Sequence, residues 1–211
     1  MFGTHDLVLF VASGLLLNVT PGPDTLYILG RTTNQGLRAG AVAALGIGTG
    51  LLFHTVIAAL GLSAILATSA AAFTILKIVG AAYLVYVGIS LIRSAGSSSR
   101  MLAAAPASTR LRSVFFQGCL TNVLNPKVAL FFLAFLPQFI DPDAPNKALA
   151  FLFLGAVFNL NGTLWNLLVA CCAAKITGGL RRGSMLTTWL NRCVGSVFVY
   201  LGVRLALSRQ G

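Results

Sequence analysis

Two very apolar stretches of this chain are each interrupted by prolines, amides and a charged residue. The first interruption, Asn-Val-Thr-Pro-Gly-Pro-Asp, covers residues 18–24, and the second, Asn-Val-Leu-Asn-Pro-Lys, covers residues 122–127. In a lipid bilayer, non-helical backbone and charge are tolerated only where they are buried in protein or line a polar cavity. The two interruptions therefore predict that polar groups from distant parts of the chain lie face to face inside a membrane protein.

The composition fits a bilayer better than water. Only 9% of the 211 residues are charged and 57% are hydrophobic, whereas soluble domains have roughly 25% charged residues. Six stretches approach the roughly 20 apolar residues that a transmembrane helix needs: 7–29, 39–66, 73–92, 114–140, 148–174 and 186–207. The sequence predicts an all-α polytopic membrane protein with six transmembrane helices. Residues 1–6 lack the basic segment of a secretory signal, so the first stretch is predicted to be a retained span.

The six predicted spans divide into two similar halves within a single membrane domain, residues 1–211. Residues 94–113, rich in Ser and Ala, form the predicted linker between a first repeat of about residues 1–93 and a second of about 114–211. The motif Lys-x-x-Gly-Ala-x-Tyr at 77–83 matches Arg-x-x-Gly-Ser-x-Phe at 192–198. Because each half has an odd number of spans, the second must enter the membrane upside down. Inverted repeats of this kind, with interrupted helices in both halves, are typical of secondary transporters.

The distribution of basic residues predicts the orientation. With six spans, ten basic residues are predicted on one side of the membrane: Arg31, Arg38, Arg93, Arg100, Arg110, Arg112, Lys175, Arg181, Arg182 and Arg192. Four are predicted on the other side: Lys77, Lys147, Arg204 and Arg209. Since basic residues accumulate on the cytoplasmic side, both termini are predicted to lie outside the cytoplasm.

Asp24 and Lys127 are the charged residues predicted to lie within the membrane. Each follows a proline, Pro23 or Pro126, that suits the start of a second half-helix. The positive end of a helix dipole favours the Asp24 carboxylate but disfavours the Lys127 ammonium. Lys127 therefore needs an anionic neighbour, which is either Asp24 in a structural ion pair or the carboxylate of a substrate.

Polar residues near these charges are further candidates for the site. The amides of Asn18, Asn122 and Asn125 either satisfy backbone groups freed by the interruptions or bind a ligand. Asn159 and Asn166 are seven residues apart, so they share one face of the fifth span. His54, in the second span, is a candidate proton relay or a neutral interhelical histidine.

Several classes of protein are disfavoured by what the sequence lacks. It contains no phosphate-binding G-x-x-x-x-G-K-[ST] loop, no H-E-x-x-H, no C-x-x-C and no Ser/His/Asp set. The predictions are therefore no enzymatic activity, no cofactor and no metal site. The basic residues stand singly between apolar runs, which argues against nucleic acid as a partner.

At the motifs around these residues, the chain resembles the LysE/RhtB family of bacterial amino-acid exporters. The matching segments are Pro-Gly-Pro-Asp at 21–24, Gly-x-x-Ala-Gly at 36–40, Gly-x-Gly-x-Gly at 46–50, the segment 77–88, Asn-x-x-Asn-Pro-Lys at 122–127 and Phe-x-Pro-Gln-Phe at 135–139. The resemblance covers nearly the whole chain and implies export of amino acids or their derivatives across the bacterial inner membrane, driven by protons. A cation or metal exporter of the same superfamily is the alternative, but one Asp, one distant His and scattered cysteines supply few ligands.

The resemblance also suggests how the site would work. Asp24 would bind either a proton or the substrate ammonium, while Lys127 and the half-helix N-termini would hold the carboxylate. Because Asp24 is the single acid within the membrane, we expect a neutral zwitterion as substrate. The expected partners are this amino acid, a proton and the lipid bilayer; the sequence leaves open whether the protein is a homo-oligomer.

Overall fold

The computed structural model describes residues 2–64 and 110–175, together with single positions between 75 and 89 and between 196 and 203. Apart from those positions, the predicted third and sixth spans and the paired motifs at 77–83 and 192–198 lie outside the described residues, as do residues 94–109 of the predicted linker. The described residues are almost entirely helical and include no strand, only an isolated β-bridge between Thr4 and Ile140.

The first apolar stretch folds into two helices that meet at an angle. α1 is Leu7–Val19 and α2 is Pro23–Gln35, and the two are bent by 53° at the break. α1 ends at Thr20, which is extended, and the nearby prolines lack the N–H groups that would continue the helix. α2 runs past the predicted end at residue 29 to Gln35, and the side chains of Thr32, Thr33 and Asn34 in this extension donate to carbonyls one turn earlier.

The fourth predicted span is broken in the same way. α4 is Leu111–Val123 and α5 is Pro126–Ala134, with a 47° bend between them and a short 3₁₀ turn at Leu136–Phe139. Asn125 precedes α5, and its side-chain oxygen accepts the backbone N–H of Lys127 at 3.0 Å. This cap satisfies one of the free N–H groups at the start of the helix. Residues 111–113 of the predicted linker belong to α4.

Two further helices are unbroken. α3 is Leu37–Ile57 and continues through a π-helical turn at Ala58–Leu62, and α6 is Lys147–Lys175. Both are long and apolar enough to cross a membrane. If each bent pair forms one more crossing, the described residues contain up to four spans, which correspond to the predicted first, second, fourth and fifth. Their arrangement within six helices and two inverted repeats stays a prediction.

The helices pack around α3, which contacts α2, α4 and α6. On one side, an aromatic cluster joins α1, α5 and α6. The Phe131 ring is stacked on Phe135 and Phe158, with centroid distances of 4.8 and 4.7 Å. On the other side, a smaller cluster joins α2, α3, α4 and α6 around Ile28, Ile47, Val114 and Ala170. Residues of both clusters border the region where the two breaks lie.

Two glycines of α3 permit its closest approach to α4. A Cβ atom at Gly50 would lie 2.5 Å from the carbonyl oxygen of Cys119, and one at Gly46 would overlap the carbonyl oxygen of Phe115. Glycines four residues apart form a groove that lets two membrane helices approach this closely. The Gly46–Gly50 contact therefore fixes α3 against the first half of the second broken span.

This contact predicts the effect of adding one methyl group. Gly50→Ala should destabilise the protein by about 1–3 kcal/mol through overpacking, which corresponds to a fall of roughly 2–12 °C in the midpoint of thermal unfolding in detergent. Gly30→Ala is the matched control, since a Cβ at Gly30 meets no atom of the described residues within 4 Å. Equal midpoints for the two variants would contradict the close contact.

Candidate functional site

The two breaks meet beside the middle of α3 and α6. The Asn122 side-chain amide, at the end of α4, donates to Asp24 Oδ2 at 2.8 Å, at the start of α2. Asn122 is fully buried, and Asp24 is partly buried at the second position of its helix. The carboxylate lies at the positive end of the α2 dipole, where a negative charge is stabilised. The hydrogen bond ties the start of one half-helix to the end of another.

Lys127 makes the reciprocal connection across the breaks. Its side-chain ammonium donates to the backbone carbonyl oxygens of Leu17 at 2.7 Å and Thr20 at 2.8 Å. These carbonyls lie at the C-terminal end of α1, which carries a partial negative charge and where few backbone N–H groups are available as donors; Leu17 O also accepts the Thr20 N–H at 3.2 Å. The anionic neighbour that Lys127 requires is thus supplied by the end of a helix.

The proposed ion pair between Asp24 and Lys127 is not formed. Among the described residues, the one ion pair joins His5 and Asp6 on the N-terminal segment. Both membrane-embedded charges border the same cavity, but each is held by other groups. The structural ion pair considered as one explanation of Lys127 is therefore wrong for this conformation, since Leu17 and Thr20 carbonyls take its place.

His54 is connected to Asp24 only indirectly. Its Nε2 lies 3.0 Å from the backbone carbonyl oxygen of Asn122, so the ring supports the residue that holds Asp24. Phe53 and Phe132 pack near the ring, with centroid distances of 6.1 and 5.9 Å. His54 does not line the cavity. Its role as a proton relay stays a prediction.

A cavity lies between the two breaks, α3 and α6. Its volume available to the centre of a water molecule is about 30 Å³, which is room for about two water molecules and less than an amino acid occupies. The residues around it are Leu17, Asn18, Thr20, Gly22, Asp24, Thr25, Ile47, Gly48, Leu51, Asn122, Asn125, Lys127, Val128, Phe158, Asn159, Gly162, Thr163 and Asn166. As it stands, the cavity is therefore smaller than a ligand of that size.

Most of the residues predicted from the sequence border this cavity. They are Asp24, Lys127, Asn18, Asn122, Asn125 and Asn159. Pro23 and Pro126 do not border it; each instead occupies the first turn of its half-helix, where it fixes the direction of the chain. The arrangement brings together residues more than 100 positions apart.

Three buried polar atoms at the cavity have no hydrogen-bond partner among the described residues. They are Asn18 Nδ2, Asp24 Oδ1 and Asn122 Oδ1. A buried polar atom without a partner costs about 1–3 kcal/mol, so such atoms are uncommon unless a ligand or a second conformation uses them. One is a donor and two are acceptors.

Sequence reasoning missed several residues at the cavity, among them Thr25, Gly48 and Thr163. Thr163 lies four residues after Asn159 and three before Asn166, so helical spacing places it on the same face. That periodicity was the available signal. Gly48 carries no such signal, because its position depends on how α3 packs against α6.

The burial of Arg31 is a feature that the sequence does not reveal. The sequence predicts Arg31 in the connection after the first span, whereas it lies in α2 and is 3% exposed; the side of the membrane on which it lies stays a prediction. Its guanidinium donates to the Gln117 side-chain oxygen on α4 and lies 5.3 Å from the centroid of the Tyr27 ring. The Tyr27 hydroxyl donates to the Val114 carbonyl at 2.8 Å. These contacts bury the cation and join α2 to α4 beyond the cavity.

The described residues contain no group of three or more His, Cys, Asp and Glu side chains placed to hold a metal ion. Asp24 and His54, the acid and the imidazole nearest the cavity, are separated by Asn122. The donor set at the cavity consists of amides, hydroxyls, one carboxylate and one ammonium. Groups of this kind suit an organic zwitterion better than a transition metal.

Apolar helices surrounding a polar cavity define a multi-pass membrane protein. The family model of the LysE type translocator matches residues 15–209, and the chain belongs to this family of bacterial inner-membrane transporters. The resemblance found in the sequence motifs is thereby confirmed.

Relatives match over nearly the full length of the chain. A homoserine/homoserine lactone efflux protein of Salmonella typhi is 32% identical over 202 residues, which are 95% of this chain and 96% of the relative. A leucine efflux protein of Enterobacter sp. (strain 638) is 29% identical over 208 residues, 97% of each chain. An uncharacterized membrane protein of Bacillus subtilis is 30% identical over 212 residues, 97% of this chain and all of the relative. No solved structure matches the chain significantly.

The contacts of Lys127 predict a structural effect that can be measured without transport. Lys127→Met should remove the ammonium that donates to the Thr20 and Leu17 carbonyls, of which Leu17 O keeps the Thr20 N–H as a donor, and should lower stability by about 1–3 kcal/mol, whereas Lys127→Arg should retain part of the stability. The thermal unfolding midpoint of purified protein in detergent measures the difference. Lys147→Met, at the start of α6 and away from the cavity, is the control. A midpoint unchanged in Lys127→Met would show that the ammonium does not hold the end of α1.

Proposed function

We propose that this protein is a secondary exporter that carries neutral α-amino acids out of the cytoplasm in exchange for protons. The observation that carries the proposal is the presence of a carboxylate and an ammonium group at one cavity without an ion pair between them in the described structure. A zwitterionic amino acid carries both charges and can be bound by both groups at once. The names of the efflux relatives include two neutral α-amino acids, homoserine and leucine, and also homoserine lactone, which has no free carboxylate.

The ammonium end of such a substrate would be bound at the start of α2. Asp24 Oδ1 and Asn122 Oδ1 are two buried acceptors without partners among the described residues. An ammonium group has three donors, so it can satisfy both atoms and neutralise the carboxylate. This binding would be strong because both acceptor atoms are buried, and charges interact more strongly away from bulk water.

The carboxylate end would be bound by donors on the other side of the cavity. Asn18 Nδ2 is a buried donor without a partner among the described residues. Lys127 uses two of its three N–H groups on the Leu17 and Thr20 carbonyls, which leaves the third for a carboxylate. In this proposal Lys127 both holds the break in place and binds the substrate.

Exchange for protons would follow from competition at Asp24. A protonated Asp24 carries no charge to attract the substrate ammonium, so proton and amino acid would bind alternately. A proton arriving from the outer side would displace the amino acid, and loss of that proton to the cytoplasm would restore the site.

Transport further requires the cavity to open and close. Its present volume of about 30 Å³ is too small for an amino acid, so at least one helix contact must separate for the substrate to enter. The two predicted three-span repeats would rock against each other around the breaks.

Family membership does not identify the substrate, since the relatives' names include both a hydroxylated amino acid and an aliphatic one.

The test uses inside-out membrane vesicles from cells that produce this protein. Labelled amino acids should enter the vesicles when their interior is acidic, because export is then directed inward. Asp24→Asn should lower kcat/KM by about 30-fold or more. The substitution removes the negative charge that would pair with the substrate ammonium, and loss of one partner of a buried charge pair costs at least about 2 kcal/mol of binding free energy. Asp141→Asn, at an exposed aspartate outside the cavity, is the control and should transport like the native chain.

Two outcomes would contradict the proposal. If no amino acid enters vesicles that contain the native protein, the proposed substrate class is wrong. If an amino acid enters but Asp24→Asn transports it as well as the native chain does, Asp24 has no role in binding or coupling. Immunodetection of each variant in the membrane ensures that rates are compared at equal amounts of protein.

A further inference from the structure

One face of α6 gives the cavity a polar wall separate from the two breaks. Asn159, Thr163 and Asn166 all border the cavity, and their spacing of four and three residues places them on one side of the helix. The Thr163 hydroxyl donates to Asn159 Oδ1 at 3.2 Å. By its chemistry, this pair still offers an acceptor at Thr163 Oγ1 and donors at Asn159 Nδ2.

Gly48 on α3 makes room for this pair. A Cβ atom at Gly48 would lie 2.6 Å from Thr163 Oγ1 and 3.3 Å from Asn159 Oδ1. Any larger residue at position 48 would therefore displace the Thr163 hydroxyl. The absence of a side chain at Gly48 allows the polar pair to lie between α3 and α6 at the cavity.

The polar wall is continuous with the groups assigned to the substrate's charged end. A Cβ atom at Gly162, the residue before Thr163, would lie 3.5 Å from the Asn18 side-chain amide. A substrate whose carboxylate is bound by Asn18 and Lys127 thus lies beside α6. The side chain of this substrate would extend along the face of α6 that carries Asn159 and Thr163.

We propose that Asn159 and Thr163 determine specificity by hydrogen-bonding the side chain of the transported amino acid. This inference rests on the proposed function. The pair selects a short side chain that ends in a hydroxyl or a carboxamide over an aliphatic side chain of the same shape. An aliphatic side chain would cover the two polar groups without hydrogen-bonding them, and sites built around a hydrogen bond reject such analogues strongly. Gly48 is a positioning residue that acts through Thr163.

The experiment compares pairs of amino acids that match in shape and differ in hydrogen bonding. Purified protein in liposomes is assayed for kcat/KM with homoserine against norvaline and with asparagine against leucine. The native chain should prefer the polar member of at least one pair by about tenfold or more. Thr163→Val and Asn159→Leu should reduce the preference to less than about threefold, chiefly through loss of the polar substrate.

Matched controls separate specificity from folding. Thr49→Val and Asn161→Leu make the same changes outside the cavity and should keep the native preference. Thr163→Ser keeps the hydroxyl and should keep most of the preference, whereas Gly48→Ala should reduce it. Transport of the aliphatic member by Thr163→Val shows that this variant is folded.

The results distinguish this inference from the function on which it rests. Absence of transport for every amino acid would overturn the proposed function. Transport of both members of each pair with equal kcat/KM by the native chain would overturn only the role of the polar wall. A tenfold preference that Thr163→Val and Asn159→Leu retain would place the specificity elsewhere.

Discussion

The structure depends on how two broken membrane helices satisfy the polar groups at their ends. A break in a membrane helix leaves carbonyl and N–H groups unpaired in a medium that offers no hydrogen bonds. Lys127, from the second break, donates to the Leu17 and Thr20 carbonyls of the first, and Asn122 of the second donates to Asp24 of the first. Each break therefore supplies what the other lacks, and separating them would expose unpaired groups on both sides.

This mutual support also explains why the cavity contains Asp24 and Lys127 without an ion pair between them in the described part of the chain. Asp24 is held by an amide and a helix start, and Lys127 by carbonyls at a helix end, so neither needs the other as a partner. Between them lie the atoms of Asn18, Asp24 and Asn122 that find no hydrogen-bond partner among the described residues. An aromatic cluster lies on one side of this space, and the Tyr27–Arg31–Gln117 contacts lie beyond it on the other.

The sequence predicted local features better than contacts between helices. Prolines and charges inside apolar runs revealed both breaks, because those residue types conflict directly with a continuous membrane helix. The spacing of Asn159 and Asn166 revealed the polar face of α6. The true partners of Lys127 could not be found this way, since backbone carbonyls are present at every residue and become available only where a helix ends. The burial of Arg31 could not be predicted because it depends on a contact with Gln117, more than 80 positions away. The role of Gly48 likewise arises only when α3 packs against α6.

An amino acid that binds in the cavity between the two breaks should protect a cysteine placed there from chemical labelling. Thr25 borders the cavity, whereas Thr33 lies on the exposed face of the same helix. In a chain whose native cysteines are replaced, we expect a transported amino acid to slow maleimide labelling of Thr25→Cys and to leave labelling of Thr33→Cys unchanged. Equal labelling rates with and without the amino acid at both positions, in a protein that still transports it, would show that the amino acid does not bind in this cavity.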